Sequence, residues 1–508
     1  MKYLIKHLSK QLQGVNPFGG DCVPSKVSLF GFGRPSLPFP HLFNYKEPLK
    51  IFESFYLGAE GLEGSKKHNR YIYCAGIAPV LLTREPAIIK AMLAATGDKP
   101  DQLDRDTSPT AGIARLTGEN SLLYANGSVW KNQKRQSAQP FSRSNLFEPV
   151  KFSGFESTFR ETVSERLNEL RAFYKINDTK VARVFFEPEI KVVMLEMLVN
   201  NFFGARVSNE EIKEKYVPAL DYLIDHIIVD TVAPTIHKLC GFLNGQNRVL
   251  KQKIEDFEEL TDIALSGRSK GTGLWQNFKS EASNDDLRSN IKVFLAGAME
   301  ATTSFASWAL SHLSYRPDIQ EQIFEEIKDV DDYTPENLSK ALTLNQVLEE
   351  TLRLTPALYF LPRYASQDMW IETNDKRRMY IPQGTHIRLD VWNANRCEDF
   401  WGESVSGYPA DKFEPKRWNI LSDKGISAKE MLHFGFGHGP RFCPGRSLGL
   451  LEVALVVAAT VKIFKFTALN DKTEPKAGIS TKPADQVMVN VQLREAFENP
   501  VINPNQIN

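Results

Sequence analysis

The sequence predicts a mainly α-helical chain with a minor β portion. Three observations carry that expectation. From about residue 120 to 356, charged and apolar residues recur at helical spacing. Within that stretch, residues 286 to 315 form one long apolar run closed by Pro317. From 359 to 418 the character changes, and β-type runs such as "MYIP" and "THIRLDVW" alternate with turns and frequent prolines.

The smaller elements follow in order. Residues 70 to 83, "RYIYCAGIAPVLLT", read as two short strands joined by a Gly-containing turn, and "EPAIIKAMLAA" then reads as a helix. A last helix is expected directly after Cys443, with Pro444 at its first position. The tail from about 464 reads as short strands and loops. Residues 1 to 40, rich in Gly, Pro and Phe after residue 14, form a lead-in to the same domain that occupies 41 to 508.

Composition narrows the function classes. The 508 residues are 42% hydrophobic, enough for a large core. The 62 basic residues balance the 62 acidic ones, so no nucleic-acid partner is expected. Five widely spaced cysteines with no C-x-x-C exclude a disulfide framework and a zinc knuckle, and suit a reducing cytoplasm. No stretch approaches ~20 apolar residues. A soluble, cytoplasmic monomer without a transmembrane segment is expected. The basic "MKYLIKHLSKQLQG" reads either as a surface helix or as a peripheral membrane contact.

The densest motif is "FGFGHGPRFCPGRSLG", residues 434 to 449. A cysteine acts as nucleophile or metal ligand only as thiolate. Free N–H groups and the positive dipole end of a helix start both favour that form. Gly435, Gly437 and Gly439 let the approaching backbone turn tightly and come close to a flat object. Arg441 adds charge two residues before the sulfur, and Phe436 offers a ring to cover it.

The run from Phe436 through Gly439, Arg441 and Cys443 to Gly445 resembles the cysteine loop of the cytochrome P-450 family, F-x-x-G-x-R-x-C-x-G. The resemblance implies that Cys443 is the axial thiolate ligand of haem iron and the metal-binding residue. It also implies that Arg441 meets a haem propionate and that Phe436 packs near the sulfur. The implied fold is the triangular, mostly helical P-450 fold, with haem between the long distal helix and the cysteine loop. The implied cofactor is haem b.

Other segments resemble the family in its own order. "LEETLRLTP" places Glu350 and Arg353 three apart on a helix, as in the family's E-x-x-R. "FEPKRW" supplies Arg417 as the third member of a structural Glu–Arg–Arg network. Arg363 in "LPRYAS" matches a strand arginine that meets a propionate. "GSVWKNQKRQSAQPF" resembles the helix that begins W-x-x-x-R; Trp130 fits, with Lys134 where Arg is usual. Lys neutralises a propionate without the bidentate fork. Lys131, Lys134 and Arg135 make a basic face that is either simply solvated or docks an acidic electron donor of ferredoxin or flavodoxin type. NAD(P)H would then serve only indirectly, through that partner.

The departure lies in "LAGAMEATTSF". The family pattern is A-G-x-(D/E)-T-T, whose acid and first threonine relay protons during oxygen activation. Aligning on Glu300 puts Ala301 at the threonine position and Thr302 one step round the helix. Aligning on Thr302 and Thr303 needs two extra residues, which rotate the helix by about 200°. The first register is preferred. Proton delivery, general-acid work, then falls to water held by Glu300 and Thr302, to a substrate hydroxyl, or is bypassed by a peroxidic substrate. Phe294, Ala298, Leu358 and Phe360 are expected to line the substrate pocket, with residues 226 to 239 as a lid.

The function implied is a haem-thiolate monooxygenase that inserts one O2-derived oxygen atom into a largely apolar organic substrate. The rivals are a peroxide-dependent peroxygenase or hydroperoxide isomerase or dehydratase of the same fold, and a non-catalytic haem sensor or carrier.

Overall fold

A computed structural model describes residues 23–26 and, with short gaps, 70–494. The longer gaps are 163–181, 233–241, 270–283 and 427–432. The N-terminal lead-in apart from 23–26, and residues 233 to 239 of the expected lid over 226 to 239, lie outside the described residues.

Strands β1 (Val23–Lys26), β2 (Arg70–Ala75), β3 (Ala78–Thr83), β4 (Asp104–Arg105), β6 (Phe360–Tyr364) and β9 (His386–Asp390) form one mixed sheet, in the order β1-β2-β3-β9-β6-β4. The expected hairpin over 70 to 83 is β2–β3, an antiparallel pair. A second sheet orders β10 (Phe464–Ala468), β13 (Met488–Leu493) and β5 (Ala182–Phe185). Among the described residues two hairpins add to these: β7 (Met369–Glu372) with β8 (Arg378–Ile381), and β11 (Pro475–Ala477) with β12 (Thr481–Pro483).

Helices carry the rest. The main ones are α1 (Pro86–Ala94), α2 (Ala111–Thr117), α3 (Gly127–Ser137), α4 (Phe186–Glu196), α5 (Val217–Val232), α6 (Gln246–Ser269), α7 (Asn284–Ser314), α8 (Pro317–Ile327), α9 (Leu342–Leu354) and α10 (Arg446–Ile463). The chain is mainly helical with a minor sheet portion, as its hydrophobic periodicity predicts.

Helix α7 is the spine. It is apolar round most of its circumference, and such a helix is stable only when other elements cover it. Helices α4, α6, α9 and α10 and strand β12 pack against it. Residues of these elements, among them Leu295, Leu310, Leu348 and Leu455, form one buried cluster. A second cluster lies under the large sheet, around Leu81, Ile89, Ile387 and Leu389.

Helix α10 begins later than expected. Its first helical residue is Arg446, with Gly445 as N-cap, so Pro444 precedes the helix rather than opening it. The turn over Pro444 and Gly445 replaces that first turn, and Arg446 N–H reaches Cys443 O only at 3.4 Å.

One charged group sits wholly inside the molecule. Glu350, Arg353 and Arg417 all have fully buried side chains. Arg353 Nε and Nη2 donate to the two Glu350 oxygens at 2.9 and 2.8 Å. Arg417 Nε donates to Glu350 Oε1 at 3.2 Å. Arg353 Nη1 also donates to the carbonyls of Asn395 (2.6 Å) and Ala410 (2.7 Å). Arg417 donates to those of Trp401 (2.6 Å) and Pro409 (2.8 Å). A buried ion cluster repays its desolvation only when its hydrogen bonds are made; here they lace α9 to the irregular segment 395–417.

Removing the acid would strand two buried guanidiniums. Glu350→Ala is expected to lower unfolding stability by about 3–5 kcal/mol, read as a fall in the urea midpoint. An unchanged midpoint would show that the cluster is not structural.

Candidate active site

The cysteine loop is wound tightly. Phe434, Gly437 and Gly439 have positive φ angles of 54°, 73° and 70°. At Gly439 a side chain is impossible, because a Cβ would lie 2.4 Å from Leu93 O; the loop is pressed onto the end of α1. The turn delivers Cys443, whose N–H donates to Phe436 O at 2.9 Å. Burial pushes the free thiol up to about 11, against smaller opposing pulls from the Gly445 N–H and the charge of Arg446. The helix start alone therefore does not keep the sulfur anionic, and the cation it feels is Arg446 rather than Arg441. A bound metal ion would deprotonate such a thiol outright.

Arg441 points elsewhere. Its Nη2 donates to Ala125 O (2.7 Å) and Asn126 Oδ1 (2.8 Å), and its guanidinium lies 4.2 Å from the centre of the Trp130 ring. The last contact is a cation–π pair. Trp130 and Lys134 sit one turn apart on α3. Lys134 Nζ donates to Pro440 O at 2.7 Å, so its ammonium holds the cysteine loop. Lys131 pairs with Asp98 at 2.8 Å on the surface.

Arg363 and Arg441 share their surroundings with a third arginine that sequence reasoning missed. Strand pairing sets Arg105 of β4 directly opposite Arg363 of β6. Arg363 is buried; its Nε donates to Thr96 Oγ1 (2.9 Å) and its Nη1 to Pro362 O (2.8 Å), both uncharged. Burial, then the charges of Arg105 and Arg441, hold its pKa well below the ordinary value. Arg441 is drawn down to about 9 by burial and by Arg105. The Nε atoms of Arg105 and Arg441 are buried without a hydrogen-bond partner. Among the described residues no carboxylate bonds any of the three. Arg363 is buried and Arg105 and Arg441 are half-buried. The charges of Asp106 and Asp104 offset Arg105 and Arg441 only in part, and converging cations so weakly balanced are costly unless an anion joins them.

Across from the loop, α7 carries a bare stripe. Gly297 is exposed and Ala298 and Ala301 are half-buried, although Leu295 and Met299 beside them are fully covered. A Cβ added at Gly297 would meet nothing within 4 Å. Positions 297 and 301 share a helix face, and that face is lined only by small groups. Phe294 is not on open ground: its ring meets Phe141 edge-on at 5.1 Å, and Phe141 stacks on Phe202. Phe360 is buried against Tyr359, while Leu358 is 38% exposed.

Glu300 and Thr302 flank the stripe, and both are engaged. Glu300 Oε1 accepts from Ser480 Oγ and Oε2 from Lys482 Nζ, each at 2.6 Å. Burial would raise this carboxyl, but Lys482 and Ser480 outweigh it and hold it below the ordinary value. Thr302 Oγ1 donates to Ala298 O at 2.8 Å. Its methyl faces α10, 3.7 Å from where a Gly449 Cβ would stand. Phe436 packs on that side too, edge-on to Phe305 at 6.3 Å.

The chain thus carries a cysteine on a tightly wound loop, three arginines that no carboxylate bonds among the described residues, and a bare face on α7. The Cytochrome P450 family model matches residues 70–490. The chain belongs to the cytochrome P450 family. It is similar to Cytochrome P450 78A7 of Arabidopsis thaliana, 23% identical over 90% of this chain and 86% of that protein. It is also similar to a cytokinin hydroxylase of Arabidopsis thaliana, at 25% identity over 82% of this chain and 80% of the relative. A cytochrome P450 monooxygenase, ptmK, of Penicillium ochrochloron is 22% identical over 82% and 84%. The protein is a haem-dependent monooxygenase, an oxidoreductase, of this family. Among the described residues no helix is long and apolar enough to cross a membrane.

The Glu300–Lys482 pair gives a pH signature. A carboxyl lowered on folding stabilises fully above its ordinary value, 4.5, and that stability drains away as pH falls through the lower folded value. Lys482→Met is therefore expected to lower the thermal midpoint at neutral pH and to flatten its decline below 4.5. Parallel pH profiles in wild type and variant would count against the pair.

Proposed function

We propose that this cytochrome P450 binds haem b through Cys443 and inserts one O2-derived oxygen atom into a largely apolar organic substrate. Electrons would come from a separate ferredoxin or flavodoxin-type donor that draws on NAD(P)H. The observation that carries the reading is the convergence of Arg105, Arg363 and Arg441 beside the cysteine loop. Haem brings two carboxylate arms to meet those charges, and the bare Gly297–Ala301 face leaves room above a flat ring. Thus Cys443 would be the iron ligand, with the three arginines on the propionates.

Bound haem supplies the oxygen activation and transfer. The chain's own part is placement. Trp130 and Asn126 orient Arg441. Lys134 clamps the loop at Pro440. Gly297, Ala298 and Ala301 keep the reacting face small and apolar, so substrate is held by shape rather than by polar contacts. Glu300 is held ionised by Lys482, so it would relay by accepting a proton and passing it on through an intervening water or substrate hydroxyl.

The donor would dock beside Cys443, where Phe442 (49% exposed) and Val129 (43% exposed) accompany Lys131. Exposed apolar groups beside the loop suit contact with a redox protein.

A second reading rests on a specific observation. Ala301 has no hydroxyl, and the Thr302 hydroxyl donates its hydrogen bond to Ala298 O. With neither group presenting a proton to the pocket, peroxide-driven oxygen transfer becomes the alternative.

The reduced carbon monoxide complex is expected to show the thiolate-type Soret band, and Cys443→Ala to abolish it. Its survival in that variant would end the reading. Glu300→Ala is expected to lower donor-driven turnover by about 10²-fold, while Thr302→Val leaves it nearly unchanged. Turnover faster with hydrogen peroxide than with donor and NAD(P)H would favour the peroxygenase.

A further inference from the structure

The entrance to the cysteine loop is fastened by a pair that the site above does not use. His433 is buried, its side chain 10% exposed. Its Nδ1 accepts the Gly435 N–H at 3.1 Å, and its Nε2 lies 2.7 Å from Glu349 Oε2. One tautomer serves both bonds: a proton on Nε2 for the carboxylate and a bare Nδ1 for the amide. The edge-on ring of Trp418, at 6.2 Å, confines the imidazole further.

Glu349 is placed by its neighbour. On α9, Glu350 turns inward to the two arginines, and Glu349 turns to the loop. Burial would raise the Glu349 carboxyl, but the His433 bond and the charge of Arg446 hold it below its ordinary value. His433 enters the loop and Arg446 opens α10 after Cys443. Glu349 therefore bonds the start of the ligand-bearing segment at His433, and feels only the more distant charge of Arg446 at its end.

The turn between them needs fastening. Phe434 is not glycine, yet it holds a φ of 54°, a region that side chains disfavour. Gly435 has no spare room, since a Cβ there would lie 3.0 Å from both His433 Nδ1 and Leu352 Cβ. From this turn Phe434 O accepts Gly437 N–H at 2.8 Å, and Phe436 O accepts Cys443 N–H at 2.9 Å.

We propose that Glu349 and His433 are positioning residues for the axial thiolate: the pair pins the Phe434–Gly435 turn, and the turn sets the Phe436 carbonyl that fixes Cys443. The proposal rests on Cys443 being the iron ligand. Groups outside the ligand set tune a metal through ligand orientation, hydrogen bonding and water access. Loss of the pair would therefore alter the sulfur as well as loosen the fold.

The test compares His433→Ala, His433→Asn, His433→Gln and Glu349→Gln as haem-loaded proteins. Asn keeps an acceptor where Nδ1 stands; Gln keeps only a donor toward Glu349. Three quantities are read: the haem reduction potential, the rate at which the reduced carbon monoxide complex loses its thiolate-type band, and amide exchange of residues 433–443. His433→Ala is expected to shift the potential and speed both band loss and Gly435 exchange by about tenfold, the factor one lost hydrogen bond commands. His433→Asn should stay near wild type, His433→Gln should follow Ala, and Glu349→Gln should fall between. If His433→Ala does not fold, the Asn and Gln pair decides on the same readouts. A wild-type potential and band lifetime in His433→Ala, or in His433→Gln, would overturn the proposal even if the thermal midpoint fell. A wild type with no thiolate-type band would overturn the Cys443 reading and this proposal together.

Discussion

The cysteine side of the molecule depends on one buried carboxylate. Glu350 accepts hydrogen bonds from Arg353 and Arg417 where no water reaches. Those arginines then hold the carbonyls of Trp401, Pro409, Ala410 and Lys412. The segment 395–417 is short of regular structure, so side-chain donors take over the work that a sheet ladder or helix would do. The network is saturated rather than strong pair by pair. Its value is geometric: it gives the stretch before the cysteine loop a single conformation against α9.

The same helix serves the loop through a different carboxylate. Consecutive glutamates on α9 face different neighbours, because successive residues lie about 100° apart. Glu350 organises the interior; Glu349 meets His433 and senses Arg446. The helix therefore joins the fold's internal frame to the segment that carries Cys443. Across the site, α7 is fixed in a comparable way. Ser480 and Lys482 take the two oxygens of Glu300, and Ser304 and Trp308 donate to Thr481 O. A three-residue clip thus holds the helix whose bare face closes the pocket.

Much of this was legible in the sequence. The spacing around Cys443, the long apolar run of α7 and the helical spacing of Glu350 and Arg353 are local patterns, and local patterns survive in one dimension. Arg105 was not legible. It sits in a two-residue strand, and only its pairing with β6 brings it beside Arg363. Ser480 and Lys482 escaped notice for the same reason: their partner Glu300 is remote in sequence. His433 carried no signal, because its role depends on which nitrogen faces which neighbour. Arg441 and Lys134 were legible as cations near the loop. Their partners, Trp130 with Asn126 and the Pro440 carbonyl, required the fold. The start of α10 slipped by two residues because a proline before a glycine turn resembles a proline at a helix start.

The central claim is that Arg105, Arg363 and Arg441 and the Cys443 thiol together define one haem site. A crystal structure of the haem-loaded protein tests it most directly. The account predicts iron bonded to Cys443 Sγ and propionate oxygens within hydrogen-bond reach of Arg105, Arg363 and Arg441. Propionates turned away from all three guanidiniums, or iron without the Cys443 sulfur, would contradict it.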